Sequence, residues 1–589
     1  MYVYEYGSEA NIVLLHVLVH SNLSKLDVFA LTGSAVGIDK LAVGRYRLPR
    51  EPGRVMTFIE GGEMRKREYW SSRVGAILAV TGSAVGLGNF IRFPGQAAQY
   101  GGGAFLIPYL IALLVVGVPL AWVEWALGRY GGNLGHHSSP GIFRVLLGSR
   151  KGAYVGMLGT LMPVMIYMYY IFVEAWCLAY AWDYLTGRFS ALGADSAAIQ
   201  ANFLTVTGAG DNGLVFTPAA WRMLVFLGIC LLANITLIYR GVHKGIERFC
   251  NIAMPLLVGC AVIILIRVLT LPANPAAPEQ TVLNGLGYMW NPAKPGETLL
   301  QALSNPEIWL AATGQIFFSL SVGFGLILTY ASYLKPADDV ALSSVTACAG
   351  NTFCEVVLGG MIAVPAAFVF LGPAVVKNPP GTFGMGFITL PNVFNQMPMG
   401  SLFGFLFFFL LFLAAITSSL SMLQPSIALL EEGLGIGRRA SVVILGLITL
   451  GGCLFVVWFS KDFTALDTLD FWMANFFIFI FATLQSIVFA WVLGIRKGME
   501  ELTRGAEIKL PRFLPFLLKY VSPLYLLAIF GLWAWNNLPG RLKAIITPSA
   551  EGGTPVVLYS VLLILGTAVF FTVVVAISNR TWDKKEDPS

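Results

Sequence analysis

Charge is what this chain has little of. Asp, Glu, Lys and Arg make up 12% of its 589 residues, against 56% hydrophobic residues and a mean hydropathy of +0.72. A water-soluble chain of this size carries about 25% charged residues, so a soluble globular protein is excluded. Histidine is scarce too, with five in all. No HExxH stretch occurs, and His136-His137 fall in a loop expected to be cytoplasmic. None of the seven cysteines (Cys177, Cys230, Cys250, Cys260, Cys348, Cys354 and Cys453) belongs to a CxxC pair. That removes the usual frames for a metal site or a disulfide scaffold; most lie in apolar runs, where a thiol acts as a small buried apolar group. The net charge of +6 is modest and lies mainly in short loops, which reads as topology and gives no nucleic-acid partner. The apolar runs are continuous rather than alternating, which excludes an outer-membrane barrel.

What is present is a series of about twelve apolar runs, near 72–97, 102–128, 155–184, 219–239, 249–270, 307–333, 341–372, 398–430, 441–460, 470–495, 513–535 and 555–577. Each reaches at least the ~20 residues that cross a hydrocarbon core. The expected fold class is therefore an all-α polytopic membrane protein with about twelve transmembrane helices, its partner the lipid bilayer. Basic residues mark alternate loops: Arg65, Lys66, Arg67 and Arg73 before the first run, Arg144, Arg150 and Lys151 after the second, and Arg240, Lys244 and Arg248 after the fourth. Arg438 and Arg439 follow the eighth, and Arg496, Lys497, Arg504 and Lys509 the tenth. This asymmetry predicts both termini in the cytoplasm, and, for a prokaryotic chain, the inner membrane.

Two runs are interrupted at mid-depth. Gly82-Ser83-Ala84-Val85-Gly86-Leu87-Gly88-Asn89-Phe90 breaks span 1, and Phe317-Phe318-Ser319-Leu320-Ser321-Val322-Gly323-Phe324-Gly325 breaks span 6. Unwound backbone inside a bilayer is tolerated only where protein or a polar cavity receives its N–H and C=O groups. Paired interruptions five spans apart predict an inverted repeat of spans 1–5 (64–270) by spans 6–10 (271–500), with spans 11–12 and a tail (501–589) outside it. Residues 1–63 fit no span. They are expected to be an extension upstream of a functional start at Met64.

Broken helix ends expose N–H groups that suit a carboxylate and C=O groups that suit a small hard cation. Ser83, Asn89, Ser319 and Ser321 lie in or beside the breaks; span 7 adds Asn351, and span 8 adds Ala414-Ala415-Ile416-Thr417-Ser418-Ser419. Each alone is equally served by helix capping or close packing. Four such clusters together point to a site, because polar groups at membrane depth tend to be functional. Arg92 and Asp470 form either an outer gate or a static interfacial pair. Arg67, Trp70, Tyr333 and Glu431-Glu432 form either an inner latch or a charged rim. Buried Glu124 and Glu174 are expected to receive N–H groups freed by the broken helices. Glu355, one helical turn from Asn351, would place negative charge beside a cation.

On these residues the chain resembles the neurotransmitter:sodium symporter family, in particular its bacterial amino-acid transporters. The resemblance runs from about Arg67 to about Ser578 and is most specific over Gly82–Ala104, Gln315–Tyr333, Gly381–Ser418 and Asp470-Phe471-Trp472. It implies two Na⁺ sites. The first would use the Ala84 carbonyl, Asn89, Ser319, Asn351 and the substrate carboxylate. The second would use the carbonyls of Gly82, Val85 and Ala414 with the hydroxyls of Thr417 and Ser418. It implies a substrate pocket of Ser83, Ala84, Leu87, Gly88, Ile166, Tyr170, Phe318, Ser319, Ser321, Phe324, Ser418 and Met422. Tyr170 would bind the carboxylate, and Phe318 would be a lid beneath Arg92 and Asp470. Arg67 with Glu432, beside Trp70 and Tyr333, would be the inner gate.

Against the leucine-carrying type within the family, Ser83 replaces Asn, Ser319 Thr, Ile166 Val, Met422 Ile and Glu432 Asp. Gly86 stands where monoamine carriers have Asp, which favours an amino acid. Glu355 stands where chloride-dependent members have Ser, so no chloride is expected. The implied function is Na⁺-coupled import of a neutral, hydrophobic amino acid, with no covalent chemistry. Another small zwitterion or amine is the alternative within the family. A channel or a membrane-embedded enzyme is the alternative outside it.

Overall fold

The computed structural model describes residues 57–60, 63–66, 69–291, 298–377, 381–546 and 555–586. The chain divides into two units, Met1–Arg67 and Glu68–Ser589. In the first, strands β1 (Thr57–Glu60) and β2 (Glu63–Lys66) pair antiparallel. The remainder of the expected 1–63 extension, and Arg67 of the expected inner gate, lie outside the described residues.

The second unit is built of helices. Among the described residues, ten are long and apolar enough to cross a membrane. They are span 2 (Gly103–Asn133), span 3 (Arg150–Leu185), span 4 (Arg222–Tyr239), span 5 (Val242–Leu269), span 7 (Val340–Ala374), span 8 (Gly400–Leu434), span 9 (Arg438–Trp458), span 10 (Lys461–Val492), span 11 (Leu514–Ile545) and span 12 (Val556–Lys584). Span 1 is a bent pair, Arg73–Ala84 and Gly88–Gln99, at 49° to each other. Span 6 is Pro306–Leu320 followed by Leu326–Ser332, parted by residues 321–325. Of the apolar window of span 3, 83% is buried, against 28% for spans 4 and 11. Span 3 is thus an interior helix, while spans 4 and 11 present most of their surface outward.

The breaks follow from local chemistry. Span 1 starts where the Ser72 hydroxyl accepts the Gly75 N–H at 2.9 Å, an N-cap bond. Its first half stops at Val85, whose backbone turns extended (φ −73, ψ 96). The first half of span 6 starts at Asn305-Pro306, a capping side chain followed by a residue lacking the N–H that a first turn leaves unpaired. It stops at Ser321, which is left-handed (φ 53), as are Gly323 (φ 82) and Gly325 (φ 83). Glycine adopts that conformation freely; serine does not. The cost at Ser321 is offset by its hydroxyl, which donates to the Ser83 carbonyl at 3.0 Å and so fastens one break to the other.

Some helices carry no trace in apolar run length. Ser139–Leu147, Ser196–Thr207, Val282–Trp290 and Leu390–Gln396 lie between spans. Spans 11 and 12 run on to Ile545 and Lys584, beyond the expected 535 and 577.

Candidate functional site

Where the two breaks meet span 7, a chain of amides sets the chemistry. The Gly86 N–H donates to Asn89 Oδ1 at 2.9 Å, which turns the Asn89 amide nitrogen toward span 7. That nitrogen donates to Asn351 Oδ1 at 2.8 Å. Asn351 Oδ1 is thereby held 3.0 Å from the Ser319 carbonyl oxygen and 3.2 Å from that of Ala84. Reversing the Asn351 amide would let it donate to both carbonyls, but it would set two amide nitrogens 2.8 Å apart. The orientation fixed from Gly86 therefore leaves three oxygens facing one another with no hydrogen between them. A cation is what stabilises such a group, and Ala84, Asn89, Ser319 and Asn351 are all buried. The Ala84 and Ser319 carbonyls and Asn351 Oδ1 fit Na⁺, being oxygens with no thiol or imidazole among them, whereas Asn89, expected as a further oxygen ligand, turns its nitrogen toward them because its oxygen accepts the Gly86 N–H.

A second oxygen cluster lies between spans 1 and 8. Ser418 Oγ is 3.0 Å from the Ala414 carbonyl, 3.2 Å from that of Ser83 and 3.5 Å from that of Gly82. Thr417 Oγ1 is 2.9 Å from the Leu413 carbonyl and 3.1 Å from that of Ala414. One hydroxyl proton cannot serve three carbonyls, so this cluster too is rich in unshared lone pairs. Val85 is fully buried at the break beside it.

Between the clusters is a cavity lined by Ser83, Ala84, Gly88, Ile166, Tyr170, Phe318, Ser321, Phe324, Ser418 and Met422, as the resemblance implies, and also by Gly86, Asn89, Pro163 and Leu326. Leu87 and Ser319 are buried but do not line it. Pro163 and Leu326 were not foreseen. Leu326 was findable as the first residue after the second break, whereas Pro163 gives no sequence signal beyond lying one turn before Ile166. The Tyr170 hydroxyl approaches the Leu87 N–H and Ser418. A Cβ at Gly86 would come within 3.0 Å of both the Tyr170 and Ser418 hydroxyls. A Cβ at Gly88 would meet the Phe318 ring at 2.7 Å. These two glycines keep the polar floor and the aromatic lid in place.

At the outer edge, Arg92 lies over the Phe318 ring with its guanidinium carbon 4.7 Å from the ring centre. It does not form an ion pair with Asp470. It reaches the Gly314 carbonyl at 3.4 Å, while Asp470 accepts from the Tyr169 hydroxyl at 2.7 Å and from Asn475 at 2.8 Å. Arg92 and Asp470 are thus close enough to attract each other without ion-pair contact.

At the opposite end, Trp70 donates its indole N–H to the Tyr330 carbonyl at 2.9 Å and its backbone N–H to the Tyr333 carbonyl at 3.3 Å. Tyr333 stacks on His137 at 4.7 Å and accepts from Gln424 at 3.0 Å. The expected partner of Glu432, Arg67, lies outside the described residues, and Glu432 has other partners at this end. It accepts the His137 N–H at 2.6 Å and the Ser138 hydroxyl, at the N-terminus of helix Ser139–Leu147. Among the described residues no arginine reaches it. A carboxylate is favoured there by the helix dipole.

The buried glutamates divide. Glu124 accepts the Gly323 N–H at 3.1 Å, so it does receive a donor freed by the second break. Glu174 does not: it accepts from Asn234 at 3.0 Å and Ser419 at 2.7 Å, tying spans 3, 4 and 8 together. Glu355 accepts from the Tyr109 hydroxyl and the Gln315 amide, and sits near Ser319.

Known proteins share this frame. The family model described as the sodium:neurotransmitter symporter family matches residues 67–197 and 217–579. An uncharacterized sodium-dependent transporter of Methanocaldococcus jannaschii is 31% identical over 483 residues, covering 80% of this chain and 92% of the relative. An uncharacterized sodium-dependent transporter of Haemophilus influenzae is 27% identical, covering 79% of this chain and 98% of the relative. The crystal structure of MhsT in complex with L-phenylalanine superposes with a TM-score of 0.66 at 27% identity, covering 79% of this chain and 99% of that one. Broken spans, polar breaks and matching sequence agree: the chain belongs to the sodium:neurotransmitter symporter family and is a multi-pass membrane protein of that transporter class.

Proposed function

We propose that this chain is a Na⁺-coupled symporter that imports a neutral, hydrophobic amino acid by alternating access. The observation that carries the reading is the Asn351 oxygen held against the Ala84 and Ser319 carbonyls, at one edge of a cavity whose other walls are Ile166, Phe318, Phe324 and Met422. A cation among those oxygens needs one more anionic ligand, and a substrate carboxylate in the cavity would supply it. The apolar walls would take the side chain, and the match to a structure holding L-phenylalanine supports that class. Gly86 offers no anion for an amine lacking a carboxylate. The second Na⁺ would lie among the Gly82, Val85 and Ala414 carbonyls and the Thr417 and Ser418 hydroxyls, bracing span 1 against span 8.

Glu355 would hold the negative charge that chloride supplies in chloride-dependent members, so transport is chloride-independent in this reading. Arg92, Phe318 and Asp470 close the outer side; Trp70, Tyr333 and Glu432, with Arg67, close the inner. Glu432 would act there by holding the 139–147 helix against span 8. Residues 64–270 and 271–500 form the two inverted halves, both termini are cytoplasmic, and the protein resides in the plasma membrane. The test is uptake of labelled amino acids into proteoliposomes under an inward Na⁺ gradient. Uptake that requires Na⁺ supports the reading; steady single-channel current without saturable uptake would replace it with a channel.

A further inference from the structure

A wide cleft lies outside the central site, at the basic end of the bundle. Ser71, Arg240, His243, Lys244, Glu247, Arg248 and Asn251 line it. Its floor is already spent. Glu247 accepts the Ser71 N–H at 3.1 Å and the Ser71 hydroxyl, and takes His243 Nδ1 at 2.9 Å. Its walls are not spent. The side chains of Arg240, Lys244 and Arg248 are exposed and have no hydrogen-bond or ion-pair partner among the described residues. The turn that gathers them depends on Gly241, whose left-handed backbone (φ 89) reverses the chain between spans 4 and 5. Lys244 and Arg248 then stand one helical turn apart on the same face.

Three cations facing one cleft repel one another unless an anion joins them, and Glu247, the carboxylate that lines the cleft among the described residues, is engaged. The cleft's position selects the anion. It opens at the end of spans 4 and 5, and on span 5 Ile252 and Leu256, exposed and at successive one-turn steps after Arg248, carry an apolar track on from the cleft along the helix surface. A ligand matched to both parts has a phosphate head and acyl chains. We propose that the cleft is a binding site for the headgroup of an anionic phospholipid, with the acyl chains along span 5. Basic pockets between helices at a bilayer surface suit such headgroups, each Lys or Arg adding about a fivefold gain in affinity. The lipid phosphate would lie beside the Ser71–Glu247 contact that holds the start of span 1 to span 5. Bound lipid would therefore favour the state in which that end is shut.

The test is native mass spectrometry of the full chain released from nanodiscs of phosphatidylcholine containing a minor share of phosphatidylglycerol. The wild type should retain phosphatidylglycerol. The triple variant Arg240→Gln, Lys244→Gln, Arg248→Gln should bind it about a hundredfold more weakly. The control Arg496→Gln, Lys497→Gln, Arg512→Gln removes three exposed basic residues elsewhere and should retain it. Equal retention by the first triple variant, or equal loss by the control, overturns the proposal. Displacement of the lipid by millimolar inorganic phosphate alone would also overturn it, since the acyl track would then contribute nothing. Thermal melting of all three proteins in detergent guards against misfolding. If the first variant melts early, charge-reversed Arg248→Glu alone, in folded protein, gives the same reading.

Discussion

Asn89 donates its amide N–H to Asn351 Oδ1 at 2.8 Å, and this bond between spans 1 and 7 decides that an oxygen, not a nitrogen, faces the carbonyls of Ala84 and Ser319. Asn351→Ala removes that oxygen. The expected result is a rise of about tenfold or more in the Na⁺ concentration for half-maximal substrate binding, with one charge-directed ligand worth about 1.5–3 kcal/mol. Asn89→Asp keeps an oxygen but loses the donor, and should shift Na⁺ dependence in the same direction. A Na⁺ titration of scintillation-proximity binding checks both.

Tyr170 projects its hydroxyl toward the Leu87 N–H and Ser418, across the space left by Gly86. Tyr170→Phe should weaken amino-acid binding by about tenfold to a hundredfold, the range for one hydrogen bond to a charged group. The Na⁺ affinity measured without amino acid should stay nearly unchanged. Equal loss of both would mean that the tyrosine supports the fold rather than the ligand.

Gly88 lies where any side chain would strike the Phe318 ring, 2.7 Å from a built Cβ. Gly88→Ala should displace the lid and lower substrate affinity by about 1–3 kcal/mol, the usual cost of overpacking. In a Phe318→Ala background the same change should cost much less, because contacting residues are not additive. A double-mutant cycle on substrate binding gives the coupling.

Glu355 takes the Tyr109 hydroxyl and the Gln315 amide within a buried pocket next to Ser319. Replacing external and internal chloride by gluconate should leave Na⁺-driven uptake intact. Collapse of uptake in gluconate would show that the carboxylate does not stand in for the halide.

The parts legible in the sequence were those where a residue type is forced by depth. Glycine and serine inside apolar runs announce a break because hydrocarbon offers no other use for them, and both breaks fall where Gly82–Phe90 and Phe317–Gly325 predict. Residue pairing was less legible. Glu174 and Glu124 look alike in sequence, yet Glu174 faces Asn234 and Ser419 while Glu124 faces Gly323. Which face of a span is turned inward depends on its neighbours, and a uniformly apolar helix carries no stripe that tells. Glu432 accepts from the start of helix Ser139–Leu147, a partner that no apolar run announces. That helix, like Ser196–Thr207, is too short to register against spans of twice its length.

The central claim is that cation and amino acid share one site. Binding of each must then tighten the other by the same factor. The direct test is the dissociation constant of a hydrophobic amino acid such as phenylalanine on the purified chain at saturating Na⁺ and in choline, paired with the Na⁺ constant with and without that amino acid. The account predicts at least a tenfold gain in each direction, equal within error. Amino-acid affinity that is the same in sodium and in choline would contradict it.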